Sequence, residues 1–277
     1  METDAPERSD DTDSVVAVVG RLVRLARQRA GTSVVDFAKT MGYGEDMIRK
    51  IERGDRIPRP EFLDRADDLL QANGYLRAFR EDMRKARYPK KDRQLKELED
   101  RATELTQYSN HNLQGLLQTP EHMRALFEMR LPVYSADMVE SGIQARMARK
   151  AVFERDPAPA LTFIQEQVTL ERPVGGRKVL RAQLEHLLEV GRLRNVTLQV
   201  MPTERGEHAG MHGLIEVLKF ADGTTLGRRG WSHNGDSPFV SDPAELRILE
   251  LRLGAIRSQA LPPQESLAFI ESRLGTL

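Results

Sequence analysis

The chain has no cysteine in its 277 residues. That excludes disulfides, thiolate metal sites and cysteine nucleophiles. It has no net charge either, since 42 Lys+Arg balance 42 Asp+Glu. No apolar run approaches the roughly eighteen residues that a membrane span needs. The first thirteen residues are acidic with no apolar centre, which does not fit a secretion signal. Cytoplasm is therefore the expected compartment, with no membrane partner. Aromatic residues are few, at 5%, while apolar residues reach 39%, a balance suited to a soluble, mainly helical protein. The length allows two domains with a substantial core. There is no internal repeat.

The zero sum hides a pattern. Residues 1–13 hold six acids against Arg8, a net of −5; residues 14–90 hold 17 Lys+Arg against 11 Asp+Glu, a net of +6; residues 91–277 are near balance, at −1. The one basic region is where phosphate binding would need it, although a solvated helical surface also carries arginines.

Within it, residues 32–54 organise the rest. Ser33 is placed to cap a helix, and Asp36 three residues on completes a capping box by reaching back to the cap N–H. Phe37, Ala38 and Met41 share one face, and Gly42 ends the helix. A second helix turns Ile48 and Ile51 inward and Glu45, Asp46, Arg49, Lys50 and Arg53 outward; Gly54 closes it, and Pro58 and Pro60 forbid continuation. Two short helices across a tight turn form a DNA-reading helix-turn-helix. Gly31-Thr32-Ser33, Phe37-Ala38, Met41-Gly42 and Ile51-Glu52-Arg53-Gly54, with Arg56 and Pro58, resemble the lambda-repressor-like (Xre-type) DNA-binding domain.

Around this unit, a helix over 14–30 carries Val15, Val19, Leu22, Val23, Ala26 and Ala30 on one stripe. A fourth starts near Pro60 and buries Phe62, Leu63, Ala66, Leu69 and Leu70; a fifth starts at Tyr75, Leu76 and Phe79 and runs toward Tyr88. The expected organisation is a disordered acidic tail (1–13), a five-helix DNA-binding domain (14–88), a linker (89–94) and a mixed α/β domain (95–277), which is α+β overall. Leu95, Leu98, Ala102 and Leu105 follow helical steps, read as a helix packing on its own domain in preference to a dimer coiled coil. Helices are expected over 120–129, 136–153, 177–190, 243–259 and 263–274. Strands are expected over 160–164, 196–201 and 214–220, the last turning at Asp222-Gly223 into Thr224-Thr225-Leu226.

Gln114-Gly115-Leu116-Leu117-Gln118-Thr119-Pro120-Glu121 resembles a motif of a domain of unknown function that follows an Xre-type head in antitoxin-like actinobacterial regulators. Val174-Gly175-Gly176, Gln183-Leu184, Leu187-Leu188 and the stretch from Val196 to Pro202 fit it in order. Relatives usually have proline at Gln114 and tyrosine at His122, and continue after Leu226 as a strand ending in glutamate, where this chain has Gly227-Arg228-Arg229-Gly230. The resemblance implies a dimeric transcription regulator, often encoded beside a small partner protein. It also implies base-edge contacts at Glu45, Asp46 and Lys50, with a supporting contact near Val34; Ser33 and Gly44, which precede the two helices, are counted with them as expected DNA-binding residues.

Two carboxylates facing DNA repel phosphate but can accept from cytosine N4; Val34 cannot hydrogen-bond phosphate. Arg49, Lys50, Arg53, Arg56 and Arg59 are therefore the expected backbone contacts, with a structural ion pair as the alternative for Arg53. The expected partners are double-stranded DNA, a second copy and a small protein or small-molecule effector, with no cofactor. His208 and His212 have helical zinc spacing, but glycines around them indicate a loop, so no metal is expected. Ser232, His233 and Asp236 carry the residue types of a triad without its geometry. Gly175-Gly176-Arg177-Lys178 lacks P-loop spacing and reads as a turn before a helix. No enzymatic activity is expected.

Overall fold

The computed structural model describes residues 11–86, 90–230 and 238–277. The chain divides into two compact units, Met1–Pro89 and Lys90–Leu277. In the first, α1 (Asp11–Arg29), α2 (Val34–Met41), α3 (Glu45–Arg53) and α4 (Pro60–Leu69) are followed by a 3₁₀ turn, Arg77–Phe79, that leads into α5 (Arg80–Ala86). Ser33 caps α2, its Oγ accepting from the Asp36 N–H at 3.1 Å. The return contact differs from the expected capping box, because the Asp36 carboxylate accepts from the Ser33 hydroxyl at 2.6 Å. Gly42 and Gly54 end α2 and α3 with φ of 75° and 85°, conformations that side chains with a Cβ disfavour.

Val16, Val19 and Val23 of α1 meet Phe37 and Met41 of α2, Ile48 and Ile51 of α3, and Phe62 and Leu63 of α4 in one core. Phe62 takes Phe37 and Tyr43 edge-on at centroid distances of 6.1 and 5.4 Å. α1 crosses α3 so closely that a Cβ on Gly20 would lie 2.4 Å from the Ile51 carbonyl oxygen. Two expected core positions face out: Ala30 lies beyond the end of α1, and Leu69 is exposed while its neighbour Leu70 is buried.

In the second unit, residues 90–94, expected as linker, are the opening of α6 (Lys90–Arg101). This helix passes without a loop into strand β1 (Ala102–Ser109), so Ala102 and Leu105 lie on a strand and not on the expected helix. The junction is held by Arg155, which donates to the carbonyls of Glu99 at 3.1 Å and Asp100 at 2.5 Å, and to that of Ala102. A helix C-terminus leaves such carbonyls orphaned, and one guanidinium here satisfies three.

There follow α7 (Pro120–Glu128), α8 (Ala136–Arg149), a 3₁₀ segment Lys150–Glu154, β2 (Ala160–Glu166), α9 (Gln167–Glu171), α10 (Arg177–Gly191) and β3 (Val196–Met201). The hairpin strands β4 (Ile215–Phe220) and β5 (Thr225–Arg229), then α11 (Pro243–Gln259) and α12 (Pro263–Gly275), complete the fold. The sheet order is β3-β2-β1-β4-β5. β2 pairs in parallel with both β1 and β3, whereas β4 runs antiparallel to β1 and β5. Strand alternation sends Leu161, Phe163, Leu198, Val200 and Leu218 to the face that also buries Leu184, Leu187 and Ile270 from α10 and α12. Tyr108, Ile164, Ile215 and Val217 point the other way, onto Leu249, Leu253 and Ile256 of α11. No helix among the described residues is long and apolar enough to cross a membrane.

Candidate nucleic-acid interface

α3 is anchored from below. Ile48, Ile51 and Glu52 are its inward residues, and the burial of Glu52 requires a partner. Arg27 of α1 supplies it, its Nε and Nη2 donating to the two carboxylate oxygens at 2.6 and 2.9 Å. Arg27 Nη1 also donates to the Thr32 carbonyl at 2.9 Å, which ties the turn before α2 to the same pair. The sequence marks Glu52 as part of the Ile-Glu-Arg-Gly signature without showing its burial. The signal for that burial is a charged residue at an inward i, i+3, i+4 position.

The outward face gathers Glu45, Asp46, Arg49, Lys50 and Arg53, all exposed. The cations there are matched along the helix. Arg49 lies 3.7 Å from Glu45 and Lys50 lies 2.8 Å from Asp46, while Arg53 turns to Asp55 at 2.7 Å. The Lys50 contact holds the Asp46 carboxyl below the usual carboxylate range. Exposed pairs of this kind are screened by water and contribute little, so a phosphate can displace them. Arg56 and Arg59 are exposed in and at the end of the loop to α4. Ser33 has its hydroxyl engaged in the cap, Val34 is partly buried against the core, and Gly44 precedes α3 with no side-chain cap.

Residues 18–79 match the family model of a helix-turn-helix domain, and residues 92–272 match that of a domain of unknown function, DUF5753. The chain belongs to the DUF5753 family. Its helix-turn-helix head marks it as a DNA-binding regulator. No curated protein and no solved structure matches it.

Within the DUF5753 domain, the Gln114–Glu121 motif is a buried strap held by amide side chains. Gln183 of α10 accepts from the Thr119 N–H at 2.8 Å and donates to the Leu117 carbonyl at 2.7 Å. Gln118 donates to the Leu113 carbonyl at 2.6 Å and accepts from Arg146 at 2.7 Å. Two of the recognised stretches thus stabilise each other. Beyond Leu226 the strand continues to Arg229, and Arg228 turns inward to Glu216, which also takes the Gln107 amide.

At the C-terminal ends of β1 and β2, Tyr108 donates to Glu166 Oε1 at 2.5 Å, and His208 Nε2 lies 3.2 Å from the same oxygen. The Gly210 N–H donates to His208 Nδ1 at 3.1 Å, so the imidazole proton sits on Nε2 and points at Glu166. Burial pushes the Glu166 carboxyl and the Tyr108 hydroxyl up. This closed cluster pins the 202–214 loop to the sheet. His208 and His212 are on that loop, the first turned inward and the second exposed. Gly176 precedes α10 in a turn. Ser232, His233 and Asp236 lie outside the described residues.

His122 is 2% exposed, and neither ring nitrogen has a hydrogen-bond partner among the described residues. Burial, with Arg146 nearby, holds its pKa at about 4. An unfolded imidazole titrates near 6.5, so between these values the unfolded chain binds more protons. Stability conferred above that window is lost as pH falls through it, by up to roughly 3 kcal/mol at 1.36 per pKa unit. His122→Phe is expected to flatten much of the decline in melting temperature between about pH 6.5 and 4.5. An unchanged slope would assign the decline to His111 and His186, which burial also shifts downward.

Proposed function

We propose that the protein is a cytoplasmic transcription regulator of the lambda-repressor-like (Xre) type that binds double-stranded DNA as a homodimer and catalyses nothing itself. α3 lies toward the major groove. Arg49, Lys50, Arg53, Arg56 and Arg59 contact phosphates, while Glu45 and Asp46 accept from cytosine N4. The observation that carries this reading is the exposed α3 face set on the buried Arg27–Glu52 pair, a rigid helix with displaceable surface ion pairs. In this scheme the carboxylates weaken non-specific binding by repelling phosphate, so discrimination comes at the cost of affinity.

Arg49→Glu with Lys50→Glu is expected to lower affinity for the protein's own promoter roughly 100-fold, and to cut the salt slope by about 0.9 for each phosphate no longer neutralised. Glu45→Gln with Asp46→Asn should tighten binding to any duplex and reduce the preference for the promoter. Fluorescence anisotropy across a salt series reads both. Unchanged binding by the Arg49/Lys50 variant would remove α3 as the interface.

An antitoxin-like role, in which the DUF5753 domain holds a small partner protein, is favoured by the turn between α7 and α8. Met129, Leu131 and Val133 there are 65, 88 and 74% exposed. Capture of the neighbouring gene's product, undiminished in the Arg49/Lys50 variant, would separate this role from DNA binding.

A further inference from the structure

α11 is apolar on two opposite sides. Leu249, Leu253 and Ile256 pack on the sheet, which is the ordinary arrangement for a surface helix. The outer side should then be polar. Instead Ala244, Ile248, Leu251, Ala255 and Ser258 lie along it, with Ile248 at 44% and Leu251 at 64% exposure. Their steps of four, three, four and three residues make an a/d-type seam, the spacing that keeps one stripe facing a second helix.

The charges beside the seam indicate what that helix is. Glu245 and Arg252 flank the stripe on the same side, seven residues apart, and neither has an ion-pair partner among the described residues. Two helical turns, about 10 Å, separate them along the axis, too far for a direct pair. An antiparallel copy of the same helix, related by a two-fold axis between Leu249 and Glu250, brings them together. Ile248 then meets Leu251 of the second copy, Ala244 meets its Ala255, and each Glu245 stands beside the other chain's Arg252. On the opposite flank Arg247 faces Gly254 of the copy, so no like charges meet. A two-fold contact must be self-complementary, and this helix meets that demand in both its apolar steps and its charges.

We infer that the outer face of α11 is a homodimer seam, two copies pairing antiparallel across Ile248 and Leu251 with reciprocal Glu245–Arg252 bridges. It rests on the dimeric part of the proposed function and not on the DNA-binding part. The helix is about 25 Å long, a small contact by the standards of stable dimers. Self-association is therefore concentration-dependent, and a DNA site with two half-sites reinforces it.

Sedimentation equilibrium of the full chain without DNA tests the seam. The wild type should show a monomer–dimer equilibrium. Leu251→Glu should be monomeric throughout with its circular dichroism and melting temperature kept, because Leu251 is exposed. Glu245→Arg and Arg252→Glu should each weaken the dimer about tenfold or more, and the two together in one chain should restore it. A wild type that stays monomeric, a dimer that survives Leu251→Glu, or single charge reversals without effect would each overturn the seam. None of these results touches the α3 interface, whose own test is DNA binding by the Arg49/Lys50 variant.

Discussion

Glu52→Ala is expected to unfold the helix-turn-helix domain under conditions where the DUF5753 domain stays folded. The change leaves the Arg27 guanidinium buried, with the Thr32 carbonyl as its remaining partner. Removing one member of a buried pair costs about 3–5 kcal/mol, because the surviving charge has neither water nor its counter-ion. A domain of this size has about 5–15 kcal/mol in total, and the lower part of that range is nearly consumed by such a loss. The pair itself has no such net worth, since desolvating both groups consumes most of their attraction. Arg27→Met with Glu52→Met should therefore retain the fold and most of the stability, while Glu52→Gln should fall between. Thermal unfolding followed by amide resonances of the two units separates the transitions, and DNA binding should vanish with the first. If the double methionine variant is as unstable as Glu52→Ala, lost shape and not an unpaired charge is the cause.

Much of the fold was legible because its elements carry local signals. The stops at Gly42 and Gly54 and the caps and prolines at Ser33, Pro60, Thr119-Pro120 and Pro263 act within a few residues of themselves. Helix and strand limits set by them lie within a few residues of expectation. β1 escaped for the opposite reason. Leu95, Leu98, Ala102 and Leu105 keep helical spacing across a junction held by Arg155, which lies more than fifty residues downstream. As the central strand it should have read as an apolar run, but it carries Gln107 and Ser109. The buried Gln107 amide donates to Glu216 of β4, a pairing no local window contains.

The candidate interface was legible as a face but not as an electrostatic object. Spacing alone placed Glu45, Asp46, Arg49, Lys50 and Arg53 together. Their i, i+4 pairing was implicit in that same spacing, and it leaves the face closer to neutral than the basic total of the region suggests. Val34 came from resemblance, and the fold gives it to the core's edge, while the Ser33 hydroxyl is taken up by the cap that its position in the sequence indicated. The buried partners, Arg27 with Glu52 and Tyr108 with Glu166 and His208, join residues 25 to 100 positions apart. Such pairs leave only half a signature in the sequence, a charge where an apolar residue belongs.

The same half-signature makes Arg149→Met the most damaging change expected in the DUF5753 domain. Glu99 on α6 is fully buried, and Arg149 on α8 donates to its two oxygens at 2.8 and 2.7 Å. Burial already pushes the Glu99 carboxyl up against the pull of Arg149, and Glu216 nearby pushes the same way. Methionine matches the length of the arginine stem but not its charge, so at neutral pH a loss of about 3–5 kcal/mol is expected. The carboxyl can escape by taking a proton. In the variant the folded state then holds a proton that the unfolded chain, titrating near 4.3, releases. The deficit should shrink as pH falls from about 7 toward 5, by at most about 1.4 kcal/mol per pH unit. Adding Glu99→Gln should recover most of the loss at neutral pH and remove that pH dependence. Denaturant titrations of the three variants at two pH values supply the comparison. A deficit that neither acid nor Glu99→Gln relieves would locate the damage in the packing of α8 against α6, since an unpaired carboxylate must respond to both.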